Sequence, residues 1–232
     1  EDHVDINARL FAYDLITDTW EEKSTANIAT GNNGNAVIID GFFYAGSVNN
    51  HSEIGIYNIA SDTWINTITS PWDPWGWGGT GHMGTDGEYL YLGTETWFYK
   101  YDPTLNNWTD LGQPEIYLDD GFAGMAYLDG WMYLATGNGS SGFARYNINS
   151  EVWELLPNAP GGIVLGMDVD PVAGVVYCSG HYGGNNIYMY DIAQNSWSIA
   201  TLDEFSFYDG GIVYGNSPYG IYIIEGQTGN NF

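Results

Sequence analysis

Cations are scarce in this chain. Four basic residues, Arg9, Lys23, Lys100 and Arg145, face 29 acidic ones across 232 residues, a formal net charge of −25. Polyanion binding needs clustered Lys and Arg, so no nucleic acid partner is expected. An anionic membrane surface is disfavoured on the same ground. The acidity suits solubility in salty or extracellular water. A sharper reading has some of the carboxylates holding Ca²⁺ or another cation. Cysteine is scarcer still. Cys178 stands alone and cannot form an intrachain disulfide. Within Val175-Val176-Tyr177-Cys178 it reads as a small buried apolar residue. No apolar run approaches the ~18 residues of a spanning helix, so no membrane insertion is expected. No signal peptide is visible at Glu1. No window holds a 3.6-residue apolar period, which argues against helices.

Aromatics and glycine are abundant: 10 Trp, 19 Tyr and 32 Gly, a composition for short strands and tight turns. The aromatics are periodic. Tyr13-Asp14 leads to Trp20, Tyr57-Asn58 to Trp64, Tyr101-Asp102 to Trp108, Tyr146-Asn147 to Trp153, and Tyr190-Asp191 to Trp197. Each Tyr lies seven residues before its Trp, and the Tyr positions advance by 44, 44, 45 and 44. A fixed period of this length marks a repeat architecture. Between these pairs the sequence predicts hairpins at Asp40-Gly41, Asp86-Gly87 and Asp129-Gly130, where Asp-Gly favours a type I′ turn. The fourth hairpin turn is longer, Asp170 to Gly174, and the last runs from Gly215 to Gly220.

Each unit thus predicts four strands, and four strands at this period point to a β-propeller blade. The Tyr-Asp, Asn and Trp positions of Tyr101-Asp102-Pro103 to Asn106 and Trp108 resemble the kelch repeat. The double glycine of that family is only partly kept, at Ala45-Gly46, Leu92-Gly93, Thr136-Gly137, Ser179-Gly180 and Glu225-Gly226. The resemblance implies a kelch-like propeller; kelch propellers usually have six or seven blades, and this chain counts to five. The expected fold is all-β: a single five-bladed β-propeller domain over 1–232, its four-stranded blades closed by pairing N-terminal and C-terminal strands. The composite blade takes 1–23 plus 202–232, and the others take about 24–67, 68–111, 112–156 and 157–201. The chain begins on the Tyr-Trp half of a blade and ends on the complementary half, so joining them leaves no free edge.

The Tyr and Trp series is expected to be packing, with Trp108→Ala costing about 3–5 kcal/mol, the usual large-to-small core figure. The Asp or Asn after each Tyr is expected to accept from turn amides. The third polar position, Asp18, Asp62, Asn106, Glu151 or Asn195, is expected to serve the same turn. In a four-stranded antiparallel blade the 1–2 and 3–4 turns share one face, and these are short. The 2–3 and 4–1 connections share the other and vary, so binding is expected there. One 4–1 connection carries Trp72, Asp73, Trp75 and Trp77; the next carries Tyr117, Asp119, Asp120 and Phe122; the last carries Phe205, Tyr208 and Asp209. Aromatic faces beside carboxylates suit a sugar, and would suit an organic cation as well.

Catalytic and metal signals are thin. His3, His51, His82 and His181 are scattered, and nothing in their spacing converges on a metal. Tyr177-Cys178 with His181 does not make the Cys-linked Tyr centre of kelch-type copper oxidases, since Cys178 sits within a strand and no pair of ligating histidines can be assigned. Asp168, Asp170, Asp119 and Asp120 lack the spacing of a calcium loop, so no cofactor is expected and Ca²⁺ stays a minor candidate. Sequons at Asn50, Asn107 and Asn138 lend mild support to an extracellular or cell-surface, secreted protein. The expected function is a recognition module for a glycan or protein partner. Two alternatives stand beside it: a carbohydrate-active enzyme using Asp or Glu from the same loops, and self-assembly as a structural subunit of a surface layer or filament.

Overall fold

The computed structural model describes residues 9–14, 16–26, 35–46, 53–71, 82–94, 96–117, 124–137, 139–180, 184–203, 211–216 and 219–224. They form strands without a helix. Two compact units are present, 1–92 with 99–110, and 93–98 with 111–232. The first holds the two-stranded sheet β1 (Phe11–Asp14) and β2 (Thr19–Glu22). It also holds the meander β3 (Ala36–Ile39), β4 (Phe42–Gly46), β5 (Glu53–Asn58) and β6 (Thr63–Thr69). A second meander follows: β7 (His82–Thr85), β8 (Leu90–Gly93), β9 (Phe98–Asp102) and β10 (Asn107–Asp110), with Gly93 and Phe98 grouped with the second unit.

The second unit contains β11 (Gly124–Leu128), β12 (Trp131–Ala135), β13 (Phe143–Asn147) and β14 (Val152–Leu155). These are followed by β15 (Ile163–Asp170), β16 (Val175–Gly180), β17 (Asn186–Asp191) and β18 (Ser196–Thr201), then the two-stranded β19 (Gly211–Asn216) and β20 (Tyr219–Ile224). All pairs are antiparallel between chain neighbours. The twenty strands are the complement of five four-stranded blades. The ladder expected to join the terminal strands is not among the strand pairs of the described residues, where β1–β2 and β19–β20 are each two-stranded. Residues 1–8 and 225–232, which flank those strands, lie outside the described residues.

The repeat is legible atom by atom. Each Tyr faces its Trp across the ladder, with ring centroids 5.0 Å apart in Tyr13–Trp20, 5.4 Å in Tyr57–Trp64, 5.1 Å in Tyr101–Trp108, 5.0 Å in Tyr146–Trp153 and 5.2 Å in Tyr190–Trp197. Such tilted cross-strand pairs add about 0.5–1.5 kcal/mol beyond burial. The residue after Tyr caps the turn as expected. Asp102 Oδ1 accepts from the amides of Thr104 and Leu105, Asn147 from Asn149 and Ser150, and Asp191 from Gln194. The third polar position does more than cap. Asp18, Asp62, Asn106, Glu151 and Asn195 all sit at positive φ, between 50° and 58°. Asn and Asp tolerate that left-handed backbone better than most side chains. Their short side chains also reach back to the Tyr hydroxyl: Tyr57 donates to Asp62 at 2.7 Å, Tyr101 to Asn106 at 2.8 Å and Tyr190 to Asn195 at 2.6 Å, and Tyr13 donates to Asp18.

The indole N–H makes a second tie that the sequence does not announce. Trp64 Nε1 donates to the Ser24 carbonyl (2.9 Å), Trp108 to Thr69 (3.0 Å) and Trp197 to Pro157 (2.7 Å). Thr69 ends the last strand of the preceding sheet, and Ser24 and Pro157 lie two residues past theirs, so each bond latches one sheet to the next. Trp153 breaks the rule: its Nε1 is buried with no partner among the described residues. The carbonyl in the matching place, four residues past Trp108, is that of Gly112. Gly112 stands at φ 85° and its carbonyl accepts the Phe98 amide at 2.8 Å. Trp64, Trp108, Trp153 and Trp197 are half-buried, whereas Tyr57, Tyr101, Tyr146 and Tyr190 are buried. The full-burial figure for Trp108→Ala is therefore an upper bound, and Trp20 is 70% exposed.

First strands of consecutive sheets lie side by side, β3 by β7 in one unit, and β11 by β15 by β19 in the other. The backbones come close enough that a Cβ on Gly124 would meet Met167 Cβ at 2.4 Å, and one on Gly166 the Ile212 amide at 2.7 Å. One predicted hairpin is corrected. Asp40-Gly41 and Asp129-Gly130 have positive φ at both residues, as type I′ requires. Asp86-Gly87 has it only at Gly87, because Asp86 Oδ1 accepts from the amides of Glu88 and Tyr89 and holds a longer connection open. The last hairpin is tighter than expected, with Asn216 paired to Tyr219.

Two outcomes follow from these ties. In urea titrations, Trp64→Phe, Trp108→Phe and Trp197→Phe should each lose about 1 kcal/mol more than Trp153→Phe, the net worth of one hydrogen bond. Equal losses at all four would remove the latch from the account. Asp62 is held below the usual carboxylate range, first by the Ser24 amide and then by the Tyr57 hydroxyl. Its contribution is present above the unfolded carboxyl value of about 3.9 and is lost as pH falls through the lowered folded value. Asp62→Asn should therefore melt closer to wild type at acid pH than at neutral pH. A constant gap across that range would contradict the assignment.

Candidate functional site

The long connections were expected to carry binding, and Tyr117 is their one described aromatic candidate. It follows β10 and is 56% exposed. Trp72, Asp73, Trp75, Trp77, Asp119, Asp120, Phe122, Phe205, Tyr208 and Asp209 lie outside the described residues, as do His3, His51 and His181. His82, at the start of β7, is buried.

The carboxylates considered for Ca²⁺ in the described part have other partners. Asp168 Oδ1 accepts the Val169 amide and Oδ2 the Tyr214 amide, both at 2.8 Å, which ties β15 to β19. Asp170 Oδ1 accepts from Val172 and Ala173 and shapes its hairpin turn. Both residues act as backbone anchors. Among the described residues no group of three His, Cys, Asp or Glu stands close enough to hold a metal ion. Cys178 is fully buried, and burial pushes its thiol up, away from the reactive thiolate. Burial, with smaller help from the Asp62 hydrogen bond, raises Tyr57 to about 12. Burial and the charge of Glu151 raise Tyr146 to about 12. These phenols are neutral packing groups at neutral pH.

A cleft that the sequence did not suggest opens in the first unit. Its volume is about 620 Å³, within the usual range for small-molecule sites. Ile39, Phe42, Tyr44, Ile56 and Tyr101 supply apolar surface, and Asp40, Glu88, Asn66 and Asn106 supply polar groups. These residues come from the β3–β6 and β7–β10 sheets, and many belong to the short turns 40–41, 87–88 and 103–106. Binding had been expected only at the other face. A β-bulge helps shape the cleft. Ile56 pairs with Asn66 but the next residue, Tyr57, pairs with Trp64, so Ile65 is extra. Ile65 is 53% exposed and lines the cleft. The matching Tyr–Trp ladders of β9–β10, β13–β14 and β17–β18 run without a break. Nothing but the 44-residue register of the strands could have pointed to this place from sequence.

No family model matches the chain, and no curated protein matches it. The solved structure of YjhT, a β-propeller, is similar, with a TM-score of 0.69 over 90% of this chain and 82% of that one, at 12% identity. The chain has a β-propeller fold. At that identity the likeness speaks for the fold alone. Together with the twenty strands it fits a five-bladed propeller, a scaffold that serves binding and enzymatic modules alike.

Proposed function

We propose that this propeller is kelch-like and works as an extracellular or cell-surface recognition module, binding a carbohydrate or protein partner through its long-connection face. What supports the reading is a division of labour among side chains. The Asp and Asn residues of the Tyr–Trp turns are engaged with turn amides and Tyr hydroxyls. The sequences of the connections, in Trp72 to Trp77, Tyr117 to Phe122 and Phe205 to Asp209, are where the copies differ. The exposed ring of Tyr117 is the observation that carries it. An aromatic face stacks on the C–H surface of a sugar ring, and neighbouring carboxylates accept its hydroxyl protons. Rigid sheets beneath variable connections are the usual platform for such recognition.

A glycan array followed by tryptophan-fluorescence titration of the full chain tests this. The expected result is a saturable fluorescence change with at least one glycan class. Tyr117→Ala should weaken it about tenfold, the loss of one aromatic anchor. A flat fluorescence response across the array, together with no captured protein partner, would overturn the reading. Cleavage of the bound glycan would move the assignment to a carbohydrate-active enzyme.

A further inference from the structure

The residue before each repeat tyrosine is Ala12, Ile56, Lys100, Arg145 or Met189. Two of these are cations, and both lie over an aromatic ring, Trp131 at the start of its sheet's second strand and Tyr89 just before its own. Lys100 Nζ is 4.9 Å from the centroid of Tyr89, and Arg145 Cζ is 4.0 Å from that of Trp131. Arg145 is the more complete case. Its Nε and Nη2 donate to Glu154 Oε2 at 2.8 and 2.6 Å. Strand register places Tyr133, Arg145 and Glu154 side by side on β12, β13 and β14. The fold therefore contains its own example of a guanidinium seated among aromatic rings and a carboxylate.

The β3–β6 sheet repeats that arrangement with its ion pair replaced. Tyr44, Ile56 and Asn66 stand side by side in the same register. Phe42 takes the place of Trp131, and Asp40 that of Asp129, each in a type I′ turn. The aromatic walls and the turn carboxylate are kept, but isoleucine stands where Arg145 would be and asparagine where Glu154 would be. The cleft of about 620 Å³ lies here, and Glu88 adds a second carboxylate to its lining. The chain has only four basic side chains, and each is engaged elsewhere. Arg9 pairs with Glu22 and covers Phe11, Lys23 pairs with Glu21, and the other two are those just described. With a net charge of −25, a second copy of this chain is a poor source of the missing cation.

We propose that this cleft binds an organic cation from outside the chain, a guanidinium group on an apolar stem. The stem packs against Ile39, Ile56 and Tyr101, and the head is held by Phe42 with the carboxylates of Asp40 and Glu88. A planar guanidinium stacks on a ring and pairs with carboxylates at the same time, which an ammonium does less well. The site lies at the short-turn end, so its test is independent of the recognition reading at the long connections.

The probes are butylguanidine, its neutral isostere butylurea, and a short neutral peptide bearing one arginine. Binding is followed by NMR through the methyl signals of Ile39, Ile56 and Ile65. Butylguanidine should shift these signals saturably, and butylurea should bind at least about tenfold more weakly. Asp40→Asn, a conservative change, should weaken butylguanidine about threefold. Ile56→Arg combined with Asn66→Glu rebuilds the Arg145 arrangement inside the cleft and should abolish binding. The peptide distinguishes the source: tighter binding than butylguanidine identifies a protein-borne arginine, and weaker binding a free small cation. The proposal fails if neither cation shifts the three isoleucines, if butylurea binds equally well, or if the folded double variant still binds butylguanidine.

Discussion

The tyrosine–tryptophan pair and its turn carry the structure. In the four pairs from Tyr57–Trp64 to Tyr190–Trp197, pairing across two strands buries the Tyr and leaves the Trp half-buried. The turn between them can close only if one residue accepts a left-handed backbone, and a short carboxylate or amide there also takes the Tyr hydroxyl. In three of the pairs the indole N–H is then aimed at a carbonyl at or just past the end of the preceding sheet. One motif thus settles the pairing of its strands, the shape of its turn and the attachment of its sheet to a neighbour. A repeat unit that cannot cover its own apolar face depends on such attachments.

Departures from the motif are informative because the rest is so regular. Gly112 directs its carbonyl to Phe98, so Trp153 loses its latch, while Phe98 packs on Trp153 and Tyr146 at 5.2 and 5.1 Å. The same ring arrangement recurs where Phe143 meets Tyr190 and Trp197. Packing is therefore kept where the hydrogen bond is not. The bulge at Ile65 and the isoleucine at position 56 change the β3–β6 sheet in another way, opening a cleft where the second unit holds Arg145.

The architecture was legible because it rests on period and side-chain class: Tyr at 13, 57, 101, 146 and 190, Trp seven residues on, Asp-Gly between strands. The indole latch was not, since its acceptors, Ser24, Thr69 and Pro157, act through backbone carbonyls that any residue supplies. The Asp86-Gly87 turn misled for a related reason: the dipeptide signals type I′, but the Asp86 side chain reaches two further amides and lengthens the connection. The cleft was hidden because Ile39, Phe42, Tyr44 and Ile56 look like core residues one at a time, and only their comparison with Leu128, Trp131, Tyr133 and Arg145 shows the cation that is replaced.

Indole N–H groups fasten successive sheets, and exchange of those protons with deuterium measures this directly. By NMR, the indole protons of Trp64, Trp108 and Trp197 should exchange as slowly as buried strand amides, and that of exposed Trp20 near the rate of free indole. If all four exchanged at the free-indole rate, the latches would not exist in solution, and the sheets would be held by ring packing and the apolar core alone.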